Sequence, residues 1–396
     1  MNIHTRAVHS GDRKAAGRHV PVTTPIHAAS SYFYKDIEEL DRVFGGEQAG
    51  FSYARYGNPS NAALEELTTE LESGHGSLAC SSGMAALQVA IQTALTDRRK
   101  AVLAADALFG ATFNLLMTVF GPLGVDIRFV NMCDLEAVAR AIEEQKPGCL
   151  LMETISNPIL RVPEVDKIAA LARAADAALI VDNTFATPLL VKPMERGASL
   201  VVHSLTKYLA GHGDVMGGVV ISDEPHFATL TALSRVTGPA LGPFECFLAM
   251  RGIKTFPLRM ERQCANACQV ASTLAVNPNV SRVYFPQDPA HPDVAAIRRL
   301  FPGGLFGAIV SFELKGAGRE EVFRFMNALR MVVPATSLGD VHTMTLYPAM
   351  SSHREISPKQ RVRMGIGDNL VRISVGIEAV GDILADLDQA LAAVWS

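Results

Sequence analysis

Residues 199–214 read SLVVHSLTKYLAGHGD. The apolar run SLVV (199–202) gives way to Ser204, Thr206 and Lys207, and then to a chain loosened by Gly211 and Gly213. A run without polar alternation reads as a short strand covered on both faces. Lysine is among the residues least often fully buried, so Lys207, just past that strand, is either a solvated loop charge or an amine with a chemical task. The same kind of run recurs at AVLAA (101–105), CLLM (149–152), ALIV (178–181) and GVVI (218–221). Between the runs, apolar residues return at three- and four-residue spacing: Leu64, Leu67, Leu71; Leu135, Val138, Ile142; Val165, Ile168, Leu171. That is the period of helices packed by one face. Short covered strands alternating with helices over residues 61–255 predict an α/β fold, a mostly parallel sheet flanked by helices on both sides.

The pattern changes after 256. FPLRMERQCANACQVASTL reads as a long helix, REEVFRFMNALR and DILADLDQALAAV as amphipathic helices. AIVSFEL (308–314) and LVRISVGI (370–377) alternate apolar and polar residues, as strands with one covered face do. Residues 256–396 are therefore expected to form a smaller α+β domain. Residues 1–60, with Pro21, Pro25, Gly45, Gly46, Gly50, Gly57 and Pro59, read as an extended arm.

Bulk composition excludes several classes. The net charge of −4, with 19% charged residues and no long single-sign block, gives no electrostatic reason to expect nucleic acid or an anionic membrane as partner. No apolar stretch approaches the ~20 residues that span a bilayer, and the N-terminus lacks the apolar segment of a signal peptide. Six cysteines occur without a CxxC pair; Cys264 and Cys268 lack a histidine at ligand spacing, so no metal site is expected. Scattered thiols suit a reducing cytoplasm.

In open α/β sheets ligands bind beyond the carboxyl ends of the strands. After AVLAA come Asp106 and Phe109; after CLLM comes ETISNP, with Asn157; after ALIV comes Asp182; after SLVV come Ser204, Thr206 and Lys207. Each alone is weak, since a strand-end aspartate often caps a helix and a lone phenylalanine often fills a core. Together they describe a site for pyridoxal phosphate. Lys207 can form a Schiff base with its aldehyde, Asp182 can hold the ring nitrogen protonated, Phe109 can stack on the ring, and Asn157 can donate to the phenolic oxygen. The phosphate needs a helix N-terminus. ACSSGMAALQVAIQTAL (79–95) offers one, with Ser81 and Ser82 before Gly83 and the N–H groups of Gly83 and Met84 free to face an anion. Ordinary serine capping of a helix is the competing explanation there.

Several stretches carry a resemblance to the Cys/Met-metabolism family of pyridoxal-phosphate enzymes. They run in order from TRAVHSG (5–11) and YARYGNPSN (53–61) through SSGMAA (81–86), VDNTFATP (181–188) and HSLTKYLAGHGD (203–214) to SLGD (337–340) and LVRISVGIE (370–378). The resemblance covers nearly the whole chain. It implies fold type I, with Lys207 as Schiff-base lysine and proton shuttle, Asp182 on the pyridine nitrogen, and Ser82, Ser204, Thr206, Gly83 and Met84 around the phosphate. It implies that Tyr53 and Arg55 reach the phosphate of a neighbouring subunit, which makes a dimer the smallest active unit within a homotetramer. It implies that Arg372 holds the substrate carboxylate, as bidentate guanidinium pairing suits, and that Ser337 positions Lys207 or that carboxylate. For Arg372 the alternative is a surface strand charge, and for Tyr53 and Arg55 an arm packed on its own subunit.

The family also implies chemistry at Cγ of a homoserine- or methionine-type amino acid. Two outcomes stay open. One is elimination by a methionine or cystathionine γ-lyase, giving 2-oxobutyrate and ammonia. The other is replacement on an O-acylhomoserine, by a sulfhydrylase or a cystathionine γ-synthase. GHGD and MRGIKT (250–255) resemble the lyases. Phe109, where most members have tyrosine, resembles the O-succinylhomoserine sulfhydrylases. Ala111 stands where methionine γ-lyases carry cysteine, and Thr336 where cystathionine γ-lyases often carry glutamate. A nucleotide-binding α/β protein would need GxGxxG or GxxxxGK[ST] after a strand, and neither occurs. A non-catalytic cofactor-binding relative would not need Lys207, Asp182 and Arg372 together. His203 and His212 are expected to be hydrogen-bonded structural residues, and His353 to lie on a loop near the site.

Overall fold

The computed structural model describes residues 1–14, 18–351, 354, 361 and 365–395. Seven strands form the first sheet: Gly76–Cys80 (β1), Ala101–Ala105 (β2), Asp126–Val130 (β3), Cys149–Glu153 (β4), Ala178–Asp182 (β5), Leu200–Ser204 (β6) and Gly218–Ser222 (β7). Their order is β1-β7-β6-β5-β4-β2-β3. All neighbours pair in parallel except β7, which runs antiparallel to both β1 and β6. The five apolar runs are strands, and β2, β4 and β7 are buried along their whole length. Two strands escape the sequence pattern. β1 (GSLAC) is too poor in branched residues to stand out, and edge strand β3 (DIRFV) is largely exposed.

Five further strands, Val280–Tyr284 (β8), Ile309–Leu314 (β9), Val333–Pro334 (β10), Met344–Leu346 (β11) and Leu370–Ser374 (β12), make a second sheet in the order β10-β11-β12-β9-β8. Helices Arg319–Ala328 and Val380–Ala392 pack with it around a separate apolar cluster that includes Val322, Phe325, Ile383 and Leu387. The 21-residue helix Phe256–Val276 reaches from one core to the other, placing Met260 in the first and Val270 in the second.

The alternating strands are not half exposed. β12 is buried at every residue, and β9 at all but Glu313. Ser311 and Arg372 instead meet the loop that follows β4. Ser311 and Arg372 are register partners, and the Ser311 hydroxyl donates to the Pro158 carbonyl at 2.6 Å. Alternation here marks a polar internal seam rather than a solvent face.

Two short helices, Ile3–His9 and Ile37–Phe44, interrupt the arm. The first lies on its own subunit, with Arg6 Nη1 donating to the Glu70 carbonyl at 2.7 Å. Phe33, Ile37 and Phe44 are exposed. The six cysteines are free thiols, and no helix among the described residues is long and apolar enough to cross a membrane. Nor, among those residues, do three His, Cys, Asp or Glu side chains group as a metal site.

Candidate active site

Parallel pairing brings the carboxyl ends of β4, β5 and β6 to one edge of the sheet. Glu153 and Asp182, the last residues of β4 and β5, are register partners. Ser204 ends β6. Beyond them lies a cavity of about 530 Å³ that reaches the second sheet through Arg372. Ser82, Gly83, Met84, Phe109, Asn157, Asp182, Ser204, Thr206, Lys207 and Arg372 all line it.

One end of the cavity is a helix N-terminus. Ser82 caps the helix Gly83–Leu95, its hydroxyl accepting the Ala85 N–H at 3.1 Å. Gly83 and Met84 are the first two helical residues, and their N–H groups precede any intrahelical acceptor. Ser204 stands so close that a Cβ on Gly83 would meet its Cβ at 3.0 Å and its Oγ at 3.2 Å. The glycine thus lets the strand end and the helix start form one cradle. Thr206 Oγ1 accepts the Gly217 N–H at 3.0 Å, and Thr184 Oγ1 accepts that of Ser204 at 2.9 Å.

The other end joins the two sheets. Lys207 Nζ donates to Ser337 Oγ at 3.0 Å. Burial, then the charge of Arg372, hold the Lys207 amine below the ordinary lysine pKa. Arg372 is 3% exposed and donates from Nη1 to Asn157 Oδ1 at 2.9 Å and from Nη2 to the Ser337 carbonyl at 3.2 Å. Its Nε has no partner. Burial pushes its pKa down to about 10, and no carboxylate among the described residues pairs with it. A buried guanidinium with neutral neighbours and an orphan N–H is a costly arrangement that a bound carboxylate would relieve. Arg372 is therefore no surface charge. Gly339, at φ +74°, lets the SLGD turn close over the lysine; a Cβ there would lie 2.5 Å from the Tyr208 nitrogen.

Between the two ends lie the aromatic and the carboxylates. Phe109 is 37% exposed, and its ring belongs to the cavity wall. Asp182 accepts the Thr184 N–H at 3.0 Å, and burial raises its pKa. A cationic partner would offset that cost.

Tyr53 and Arg55 are not in this cavity. Tyr53 is 46% exposed; Arg55 donates to the Arg235 carbonyl and lies over the Tyr56 ring, 4.7 Å from its centroid. His203 sits behind the sheet, with Nε2 2.6 Å from Glu72 Oε1. His212 Nδ1 is 2.7 Å from the Ala210 carbonyl. His353 lies outside the described residues.

Two contributors escape a reading of the sequence. Glu153 opens ETISNP, and its only signal is its position: an acid directly after a covered strand, in step with Asp182. Arg259 has no such signal, because it reads as one polar residue on a long helix. It is buried and donates to the carbonyls of Tyr208, Leu209 and Gly252 at 2.9–3.0 Å, which fixes the turn after Lys207.

The donor set fits pyridoxal phosphate. A helix N-terminus with hydroxyls suits a phosphate, a buried carboxylate suits a protonated ring nitrogen, a nearby aromatic suits a planar ring, and a lysine of lowered pKa suits an aldehyde.

Comparison with known proteins agrees. Residues 4–392 match the family described as Cys/Met metabolism PLP-dependent enzyme. L-methionine gamma-lyase of Pseudomonas putida is 39% identical over 98% of this chain and 97% of its own length. O-succinylhomoserine sulfhydrylase of Pseudomonas aeruginosa is 37% identical over 98% of this chain and 95% of its own. The crystal structure of cystathionine gamma-lyase from Lactobacillus plantarum, complexed with L-serine, superposes with a TM-score of 0.92 at 33% identity, covering 100% of both chains.

Proposed function

The chain belongs to the Cys/Met-metabolism family of pyridoxal-phosphate-dependent enzymes, and we propose that within it the protein is a C–S γ-lyase whose preferred substrate is methionine, releasing a thiol, 2-oxobutyrate and ammonia. One observation carries the choice of substrate. Among the described residues lining the cavity, the ionisable ones are Glu153, Asp182, Lys207 and Arg372. Asp182 is committed to the ring nitrogen and Lys207 to the aldehyde. Arg372 is committed to the α-carboxylate, and Glu153 is engaged by two backbone N–H groups. The remaining wall includes Phe185, Met216, Thr336, Leu338 and Leu346. A thioether methyl suits those neutral groups, whereas a succinyl carboxylate or the distal amino acid of cystathionine would be desolvated without a counter-charge.

The bound cofactor supplies an aldehyde for amine exchange and a protonated ring that draws electrons from the bonds to Cα. Gly83, Met84, Ser204 and Thr206 would hold its phosphate, Phe109 and Asn157 its ring, and Asp182 its nitrogen. Arg372 Nε and Nη orient the substrate by its carboxylate. Lys207 Nζ, its pKa lowered by burial and its position steered by Ser337 Oγ, takes the Cα proton in its neutral form. Phe109 has no hydroxyl, so Lys207 Nζ also carries the protons that a tyrosine would otherwise share. Exposed Phe33, Ile37 and Phe44 on the arm, with Tyr53 and Arg55 outside their own cavity, support a homotetramer in which the arm serves a neighbouring site. We place the enzyme in the cytoplasm, in keeping with its six free thiols.

The test is a substrate panel of methionine, cystathionine, O-acetylhomoserine and O-succinylhomoserine, each with and without sulfide or cysteine. Oxobutyrate from methionine should dominate by kcat/KM. Faster formation of homocysteine from O-succinylhomoserine and sulfide would assign the protein to the replacement class instead.

A further inference from the structure

Glu153 is 8% exposed and closes β4 beside Asp182. Its Oε1 accepts the Phe109 N–H at 2.6 Å, and its Oε2 accepts the Asn157 N–H at 3.3 Å. Those two backbone groups belong to separate loops, one after β2 and one after β4. The first carries the aromatic wall of the site and the second carries the amide that Arg372 grips. Phe109 begins the helix Gly110–Leu115, which has no side-chain cap of its own. Glu153 also borders a second cavity of about 720 Å³ on the far side of the Phe109 loop.

We propose that Glu153 is a positioning residue, whose two oxygens staple the Phe109 and Asn157 loops together and so set the aromatic face and the amide at a fixed separation across the cofactor ring. The inference rests on Phe109 and Asn157 being the ring contacts of the proposed site. Keeping an acid here is expensive. Burial, and then the charge of Asp182, push its pKa up to about 8. Asp182 faces it from β5; Asp106 and Arg161 border the neighbouring cavity, and Lys207 and Arg372 line the site itself. An apolar side chain would fill the volume at lower cost but accept neither N–H. Either protonation state retains an acceptor at both oxygens. Glutamine does not, since its Nε2 can only donate.

The experiment uses the holoenzyme with Glu153→Gln, Glu153→Asp and each change combined with Phe109→Ala. The visible circular dichroism of the bound cofactor reports ring orientation, and cofactor affinity and steady-state kinetics are read alongside. Glu153→Gln should retain the cofactor, weaken the visible dichroism, and lower kcat by about 10–100-fold, the range expected for displacement near 1 Å, with kcat falling more than KM rises. Glu153→Asp, with both acceptors drawn back by one methylene, should fall between wild type and Glu153→Gln. In the Phe109→Ala background either change should lose most of its effect on the dichroism. Wild-type dichroism and kcat in Glu153→Gln would overturn the proposal, and so would an equal loss in the Phe109→Ala background. If Glu153→Gln does not fold, Glu153→Asp and its double variant decide the proposal by the same two measurements. A wild-type protein with no cofactor band would sink the site assignment itself, and the staple with it.

Discussion

The two ends of the cavity are built in different ways. At the end proposed for the phosphate, Ser82, Gly83 and Met84 follow β1, Ser204 ends β6 and Thr206 lies just beyond it, so these groups all come from one sheet and its adjoining helix, and part of the donor set is backbone N–H. At the end proposed for the amino acid, Arg372 of β12 and Asn157 of the loop after β4 touch across 215 residues of chain, and Ser337 links Arg372 to Lys207. The segment 157–162 is clasped by His291, Asp293 and Ser311. Ser311 donates to the Pro158 carbonyl, His291 Nε2 lies 3.1 Å from the Leu160 carbonyl, and Asp293 accepts from Arg161 at 2.6 and 2.7 Å and from the Val162 N–H at 2.9 Å. Cofactor affinity should therefore follow the state of a single sheet edge, and amino-acid recognition the state of a junction.

The strongest way to break this division is Arg372→Leu. Losing one partner of a buried charged contact costs about 2–5 kcal/mol, so kcat/KM for methionine should fall by about 10²–10³-fold while cofactor affinity stays unchanged. Equal loss of cofactor, measured by titrating the apoenzyme, would show that the two ends are one unit. A pH shift should accompany the loss. Arg372 helps hold the Lys207 amine below its ordinary pKa, and the base works only when neutral. Removing the charge raises that pKa, so the acidic limb of the kcat profile should move to higher pH. An intermediate effect is expected from Asp293→Asn, which weakens the Arg161 clasp without touching the cavity. A charged hydrogen bond contributes about 1.5–3 kcal/mol. The KM for methionine should rise by roughly 10-fold, again with cofactor affinity intact.

The same division explains how much the sequence disclosed. Covered strands and their terminal residues are local features. So β2, β4, β5, β6 and β7 could be read from apolar runs, and Asp182, Ser204, Thr206 and Lys207 from their places at or just beyond the strand ends. Gly83 and Met84 were legible as a helix start for the same reason. The junction was not legible, because its signals are ambiguous in one dimension. The polar positions of β9 and β12 looked like a solvent face, and Arg372 like a surface charge, until packing put Ser311 against Pro158. Only the family resemblance marked Arg372 and Ser337 in advance. Arg259 illustrates the limit: two carbonyls from the turn after Lys207 and one from the helix Pro243–Ile253 converge on it, and no local pattern announces that convergence.

The smallest expected effect sits between the two ends. Phe109→Tyr restores the hydroxyl that most family members carry while keeping the ring. Phe109 is 37% exposed, so the added group can be hydrated rather than forced into packed core. A full acid–base group contributes ~10²–10⁴-fold, but in the proposed mechanism Lys207 Nζ carries the Cα proton, so the gain should be well below that range. Elimination from methionine should quicken by a few-fold, with cofactor affinity and KM unchanged, since neither Arg372 nor the Gly83 cradle is altered. The acceleration should be larger for methionine, whose thiolate leaves poorly without a proton, than for O-acetylhomoserine, whose carboxylate leaves readily. An equal gain for both substrates would mean that the hydroxyl acts on the ring rather than on the leaving group. A slower enzyme with both would mean that this cavity is shaped around a bare phenyl face, and that its proton transfers are routed through the lysine alone.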